Sequence, residues 1–370
     1  MTGNRHPKNE RMKRQYAIWL EEAQRLNPKS VDKALAAITQ FEASTAFRDF
    51  GAFHIEQARR FKRLLEEGTD TNTGRPVAKA TATARLKAVR RFFHWLAGQP
   101  GYKSKITYSD ADYFSPSHHD ARIASAQREK RVPSLEQIRH VLHVLPQGTD
   151  IESRDRALIA FVLLTGARDD AVASASLQHV DLAGRKFDQD ARSVRTKFRK
   201  TFTTYFFPVG EEVERIVVDW IEHLRTVLLY GPNDPLFPAT KVERNADGFF
   251  APAGLTRRHW SNADAVRRIF RESFARAGLP YFNPHSFRDT LVRFGEQRCR
   301  STEEFKAWSQ NLGHERMLTT LASYGTVPSA RQAELLARLR AVEMDGACGD
   351  GPPSPQTIER VLDHLKAMAA

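Results

Sequence analysis

Residues 283–290 read NPHSFRDT and residues 312–325 read LGHERMLTTLASYG, and the rest of the chain is organised around these two motifs. In the first motif, His285 stands three residues before Arg288, a separation that places two side chains on one face of a helix. A ring nitrogen and a planar guanidinium on one face can bind a single anion such as a phosphate. In the second motif, Tyr324 follows His314 by ten residues and supplies a phenol for nucleophilic chemistry on the same anion.

The composition indicates a nucleic-acid partner. The 370 residues carry a formal net charge of +13, which favours DNA or RNA over an acidic small molecule. The first residues lack an apolar signal core, and no apolar run approaches the length of a transmembrane helix, so we expect no membrane partner and a cytoplasmic location. The two cysteines, Cys299 and Cys348, form no CxxC motif and no Cys/His cluster, which argues against a disulfide framework or a thiolate zinc site.

The length of the chain predicts two domains. After a polar tail (1–9), helical periodicity predicts a helical DNA-binding domain over residues 10–115. Its helix at about 81–97 has one apolar face and, on the opposite face, four basic residues. These are Lys87, Arg90, Arg91 and His94. That basic face fits equally well a helix laid along DNA phosphates and an ordinary solvated surface.

Periodicity fades after Gln99, and residues 116–133 are predicted to be a linker. We interpret His118, His119 and Asp120 as polar linker residues, because no further ligand at a fixed spacing completes a metal site. The second domain is predicted over residues 134–345. It begins with SLEQ, a sequence typical of a capping box at the start of a helix.

The second domain contains a helix at about 157–166, ALIAFVLLTG, which is apolar on every side and is therefore predicted to be buried and to end at Gly166. Arg168 follows directly, and the spacing alone leaves open whether it faces solvent or an anion. Residues 186–209 are the only clear β region and predict a small antiparallel sheet, with Lys197 and Lys200 near a turn.

The C-terminal residues 346–370 are predicted to be a flexible segment followed by a helix. The apolar stripe of that helix, from Ile358 to Leu365, must cover its own domain or dock on a neighbouring molecule.

Five motifs in a fixed order resemble the tyrosine recombinases, also called the phage integrase family. They are TGARDD (165–170), TKFRKTFTTYFFPV (196–209), HSFR (285–288), LGHE (312–315) and SYG (323–325). The resemblance extends over nearly the whole chain. It implies a mainly α fold with a small antiparallel β-sheet, divided into a helical N-terminal core-binding domain and a mixed α/β catalytic domain.

The resemblance also implies roles for individual residues. Arg168 and Arg288 would be the two phosphate-clamping arginines, His285 and His314 the two histidines, and Tyr324 the nucleophile. For the lysine that protonates the leaving group, Lys200 is preferred because it stands eight residues before Pro208, the usual distance in this family. The alternative for that role is Lys197, which ends the sequence RTK (195–197), a pattern found in some members of the family. Lys197 is also a candidate DNA contact.

The implied activity is site-specific cutting and rejoining of DNA through a 3′-phosphotyrosyl intermediate, without a metal, ATP or another cofactor. The implied partners are double-stranded recombination sites and, in the synaptic complex, a homotetramer. This chain departs from the family at Ala171, where a carboxylate is common three residues after the first arginine. The separation of His314 from Tyr324 is also one residue longer than the commonest version.

Three other functions remain as alternatives. A metal-dependent transposase or nuclease could use Asp169 and Asp170, although adjacent residues on a helix point apart and no third carboxylate is evident. A DNA-binding accessory protein of the same fold would have lost cleavage, which the complete catalytic set argues against. A type IB topoisomerase shares the chemistry but is less expected from this layout.

Overall fold

The computed structural model describes residues 6–69, 75–117, 131–245 and 247–313. The chain divides between Gln127 and Arg128 into two compact units, each with its own hydrophobic core. Most of the predicted linker and the whole C-terminal segment 346–370 lie outside the described residues. In the part of the chain that is described, no helix is long and apolar enough to cross a bilayer.

The first unit is helical. Its elements are α1 (Pro7–Ile18), a π-helical continuation (Trp19–Ala23), α2 (Pro28–Ser44), a 3-10 turn (Phe50–Ala52), α3 (Ile55–Glu67), α4 (Lys79–Ala97) and α5 (Tyr108–Asp112). The apolar face predicted for α4 is confirmed, because all five of its residues are buried. They are Leu86, Val89, Phe92, Phe93 and Leu96. Although periodicity fades after Gln99, Tyr102 and Phe114 are also buried in this core.

A buried ion pair joins α1 to α2 in the first unit. The Lys13 ammonium lies 2.6 Å from a carboxylate oxygen of Glu42, which is fully buried. Asn9 donates a hydrogen bond of 2.8 Å to the other oxygen of Glu42 and accepts one of 3.0 Å from the backbone of Phe50. This polar group is buried at low cost because its charges and hydrogen-bonding atoms are paired.

The second unit mixes helices and strands. Its helices are α6 (Leu135–Val144), α7 (Asp150–Thr165), α8 (Asp169–Val172), α9 (Glu211–Thr226), α10 (Asp264–Arg276), α11 (Ser286–Arg298) and α12 (Thr302–Asn311). Its strands are β1 (Val180–Asp181), β2 (Lys186–Gln189), β3 (Phe202–Tyr205), β4 (Thr240–Arg244) and β5 (Phe250–Leu255). The predicted class, mainly α with small antiparallel sheets, is confirmed.

Local signals determine where the helices of the second unit begin and end. The capping box predicted at Ser134 is present, with Ser134 and Gln137 each donating a backbone N–H to the other's side chain. Helix α7 begins at Asp150, seven residues before the predicted start, because Thr149 and Glu152 form a second capping box. The helix is buried on all sides from Ala157 to Leu164 and ends at Gly166, as predicted.

The three-stranded sheet has the order β1-β2-β3 and is antiparallel throughout, with Phe187 opposite Thr204. The prediction of strands within residues 186–209 is therefore confirmed. The prediction that this was the only β region is wrong, because β4 and β5 form a second hairpin. Its side chains are largely exposed, including Phe249 and Phe250, so the sequence lacks the alternation of a half-buried strand.

Candidate active site

Arg288 is the most deeply buried of the predicted site residues that the structure describes. It lies in the first turn of α11 and is 3% exposed. Two of its amino groups donate hydrogen bonds to the backbone carbonyls of Gly166 and Leu312. Burial, and to a smaller extent the positive charge of Arg168, lower the pKa of Arg288 to about 9, so the guanidinium remains charged at neutral pH.

Gly166 lies close to both arginines, to one in sequence and to the other through a hydrogen bond. It ends α7 with φ of +60°, a left-handed conformation that glycine adopts without strain. Its carbonyl accepts the hydrogen bond from Arg288, and Arg168 follows two residues later. A side chain at this position would clash, because an added Cβ would lie 2.6 Å from a methyl carbon of Leu312. The tight turn at Gly166 thus places Arg168 close enough to Arg288 for the two charges to interact.

Arg168 is half-buried immediately before α8, and desolvation lowers its pKa. Among the described residues, no group accepts a hydrogen bond from its guanidinium. The two carboxylates that follow it pair with other arginines. Asp169 lies 2.8 Å from Arg267, and Asp170 lies 3.1 Å from Arg195. A half-buried cation whose acidic neighbours are already neutralised is suited to bind an external anion.

His285 directly precedes α11 and is exposed, in contrast to Arg288 one turn later. The start of the helix is fixed by Asn283, whose side-chain oxygen accepts from the Ser286 amide at 3.1 Å. The Ser286 hydroxyl donates back to the Asn283 carbonyl at 2.6 Å. The two residues of the HxxR motif are therefore one helical turn apart, with the histidine exposed and the arginine buried.

The two candidate lysines lie in the loop between β2 and β3, as the sequence indicated. Lys200 is half-buried, whereas Lys197 is exposed, with its ammonium 5.0 Å from the ring centroid of the exposed Phe198. Phe198 and Arg199 have φ of +60° and +52°, which non-glycine residues seldom adopt. The loop thus makes a strained turn between the two lysines.

His314 and Tyr324 lie outside the described residues. The described chain ends at Gly313, one residue before His314. Leu312 accepts a hydrogen bond from Arg288, so the chain is held beside the second arginine just before the second predicted histidine.

The basic residues predicted on α4 belong to the first unit, and three of the four contact other side chains of that unit. Arg90 donates to Asp112 at 2.6 Å, and His94 lies 3.5 Å from the same carboxylate. The hydrogen bond from Arg90 is the main reason that the pKa of Asp112 is lowered. Arg91 donates to Gln24 at 2.6 Å and lies over the Trp19 ring. Lys87 is exposed.

Two partners could not be identified from the sequence: Arg267, which contacts Asp169, and Arg195, which contacts Asp170. Arg195 lies 25 residues and Arg267 lies 98 residues from the aspartate it contacts, so no local spacing marks either pair. Both aspartates accept from arginines, which makes them poor ligands for a divalent cation. In the described ranges, no group of three or more His, Cys, Asp or Glu side chains is arranged to hold a metal ion.

No protein-family model matches the chain. In sequence, it is 26% identical over 247 residues to the tyrosine recombinase XerD of Haemophilus influenzae, which covers 65% of this chain and 70% of the relative. It is 24% identical over 252 residues to the tyrosine recombinase XerC of Lactobacillus delbrueckii subsp. bulgaricus, which covers 67% of this chain and 72% of the relative.

Solved structures share the fold at lower sequence identity. A lambda integrase dimer bound to a COC′ core site matches with a TM-score of 0.58 at 12% identity, over 95% of this chain and 85% of the integrase. A lambda integrase tetramer bound to a Holliday junction matches with a TM-score of 0.53 at 14% identity, over 85% of this chain and 83% of the integrase chain. The fold and the curated relatives agree with the family that the five sequence motifs resemble.

Proposed function

Because the chain belongs to the tyrosine recombinase family, we propose that it cuts and rejoins DNA at specific sites through a covalent 3′-phosphotyrosyl intermediate. The observation that carries the proposal is the pairing of Arg168 and Arg288 around Gly166. Two neighbouring guanidiniums are suited to bind a phosphodiester, whose non-bridging oxygens gain negative charge during attack.

In the proposed reaction, the phenol oxygen of Tyr324 attacks phosphorus and loses its proton to a base. A new oxygen–phosphorus bond forms, and the bond from phosphorus to the 5′ oxygen breaks. The leaving 5′ oxygen takes a proton and departs as a hydroxyl. Attack by a 5′ hydroxyl on the phosphotyrosine reverses these steps, so the bond energy is conserved and rejoining needs no ATP.

The remaining residues have supporting roles in this proposal. Lys200 donates the proton to the leaving 5′ oxygen, and His285 acts as base or hydrogen-bond donor near the phosphate. His314 binds a phosphate oxygen. The half-buried position of Lys200 supports its choice over the exposed Lys197, because a general acid must be held at the reacting atom.

The assembly proposed for recombination is a tetramer on two DNA duplexes, and the lambda integrase tetramer of similar fold supports it. We further propose that the helix predicted from the sequence, with its apolar stripe at residues 358–365, docks on a neighbouring protomer in that assembly. Deletion of residues 346–370 should then spare binding to a single site and impair synapsis. Unchanged recombination by the truncated protein would refute this role.

The test of cleavage begins with a search for the target DNA. Duplexes with a randomised centre are selected for binding by the wild-type protein. The selected sequence is then synthesised with a nick beside the cleavage site, so that the short fragment carrying the released 5′ hydroxyl diffuses away and cannot be rejoined. We expect a denaturation-resistant protein–DNA adduct in the presence of EDTA, and none with Tyr324→Phe. Absence of the adduct with wild type, or its persistence in Tyr324→Phe, would overturn the proposed mechanism.

A second experiment separates Lys200 from Lys197. In a substrate whose bridging 5′ oxygen is replaced by sulfur, the leaving group is a thiolate, a weaker base that departs without protonation. We expect Lys200→Ala to cleave the ordinary substrate about a hundredfold more slowly than wild type and to recover on the sulfur substrate. The same behaviour in Lys197→Ala, with Lys200→Ala unaffected, would reassign the general acid.

A further inference from the structure

The two carboxylates that follow Arg168 are held by arginines from different parts of the second unit. Asp169 accepts a hydrogen bond of 2.8 Å from Arg267, which lies on α10. Asp170 accepts a hydrogen bond of 3.1 Å from Arg195, which lies in the loop between β2 and β3. The short helix α8, which Arg168 immediately precedes, is thereby tied to two separate elements.

Arg195 makes further hydrogen bonds besides the one to Asp170. Its side chain also donates to the carbonyl of Trp260 at 3.0 Å. Its backbone amide donates to the hydroxyl of Ser174 at 2.8 Å, and that hydroxyl donates to the carbonyl of Asp170 at 3.0 Å. Both the main chain and the side chain of Arg195 are therefore bound to the turn that carries Arg168.

Arg195 also belongs to the loop that carries the candidate general acid, five residues before Lys200. The part of the loop just before Arg195 is held in place by the buried Val194 and by Ser193, whose hydroxyl lies 2.8 Å from a ring nitrogen of His179. At the end of the loop, just after Lys200, the Thr201 hydroxyl accepts a hydrogen bond of 3.1 Å from the Ala191 amide. The strained turn between these anchors contains Lys197, Phe198 and Arg199, all exposed.

Ala171, three residues after Arg168, is 1% exposed and has no polar side-chain group. A carboxylate is available one residue earlier, at Asp170, and it contacts the lysine loop through Arg195. On the basis of the proposed function, we propose that Arg195 is a positioning residue that fixes the loop bearing Lys200 relative to Arg168. It acts through Asp170 and Ser174 and does not itself touch the substrate.

Arg267 offers a matched control, because it donates a hydrogen bond to the adjacent aspartate but belongs to α10 and not to the loop that carries Lys200. If Arg195 acts on the loop, its loss should impair protonation of the leaving group. Loss of Arg267 should disturb only the phosphate clamp at Arg168. The two variants therefore separate an effect on Lys200 from a general weakening of α8.

The kinetic test measures single-turnover cleavage by Arg195→Met and Arg267→Met on the ordinary nicked substrate and on its 5′-bridging sulfur analogue. Misplacement of a catalytic group by about 1 Å can slow a reaction about a hundredfold. We expect Arg195→Met to lose about that factor on the ordinary substrate and to regain most of it on the sulfur analogue. Any loss in Arg267→Met should be equal on both substrates. An Arg195→Met defect that is absent, or equal on both substrates, would overturn the proposal.

A second measurement does not depend on catalysis. Hydrogen exchange of the backbone amides at residues 196–201 is compared in wild type, Asp170→Asn, Arg195→Met and Arg267→Met. We expect faster exchange in the first two variants and wild-type exchange in the third, with thermal unfolding midpoints showing that all remain folded. Unchanged exchange in Asp170→Asn and Arg195→Met would refute the coupling even if wild type forms the adduct. A wild type that forms no adduct would refute the proposed function and leave the coupling to be judged by exchange.

Discussion

The guanidinium of Arg288 donates a hydrogen bond to the carbonyl of Gly166, the residue at which the buried helix α7 ends. Arg288 is therefore bound to the turn that leads into Arg168, the other candidate arginine. This single contact joins residues 122 positions apart and gives Arg288 a structural role beside its proposed catalytic one. Arg168 has no such hydrogen bond to the described residues, so the two arginines should respond differently to substitution.

Substitution of the arginines should separate catalysis from stability. Arg288→Gln should abolish adduct formation and also lower the free energy of unfolding by about 1–3 kcal/mol, because buried carbonyls lose charged donors. Arg168→Gln should reduce cleavage by about a hundred- to a thousandfold while leaving urea unfolding close to wild type. Equal stabilities for the two variants would contradict the difference in burial and bonding described above.

Gly166→Ala should destabilise the protein through two causes. The left-handed backbone costs a non-glycine residue about 1–2 kcal/mol, and the new methyl group would clash with Leu312. Gly278→Ala is the control, because Gly278 has φ of +68° but open space where its Cβ would be. Urea unfolding should show a larger loss for Gly166→Ala than for Gly278→Ala. Equal losses would mean that the contact with Leu312 contributes nothing.

Glu42→Gln should destabilise the first unit, because it leaves the buried Lys13 ammonium without its closest carboxylate. Breaking a buried ion pair on one side typically costs about 3–5 kcal/mol, and the remaining contact of Lys13 with Glu10 places the expected loss at the low end. Adding Lys13→Met to Glu42→Gln should recover part of the stability by removing the unpaired charge. Calorimetry of the full chain tests this, and an additive loss in the double variant would argue against the pairing.

Tyr16 should make stability fall at alkaline pH. Burial raises the pKa of its phenol from 10.0 to about 12, although the charge of Arg91 opposes the rise. Below pH 10 the phenol is protonated in both states, and its contribution to stability is independent of pH. Between pH 10 and 12 only the unfolded chain releases the proton, so the free energy of unfolding falls as pH rises.

Tyr16→Phe should remove that dependence on pH. It should also be neutral or slightly stabilising at pH 7, because within the described residues the buried phenol oxygen has no hydrogen-bond partner. Tyr108→Phe, at an exposed position, is the control. Urea unfolding at pH 7, 10 and 11.5 measures both effects. A Tyr16→Phe protein that loses stability at alkaline pH as steeply as wild type would contradict the assignment.

Much of the fold could be predicted because its signals are local. The capping box at Ser134, the apolar face of α4 and the glycine that ends α7 each depend on residues within a few positions of one another. The hairpin of β4 and β5 could not be predicted in the same way. Its side chains are mostly exposed, so no core imposed an alternating pattern on its sequence.

The sequence by itself determined the candidate catalytic groups, their order and the bounds of several helices. These properties follow from residue type and short spacing. The tertiary structure decided which groups support one another: Arg288 with Gly166, Asp169 with Arg267 and Asp170 with Arg195. The partners in each pair are at least 25 residues apart. Such contacts depend on how the chain returns to the same place, and helical or strand periodicity contains no information about that path.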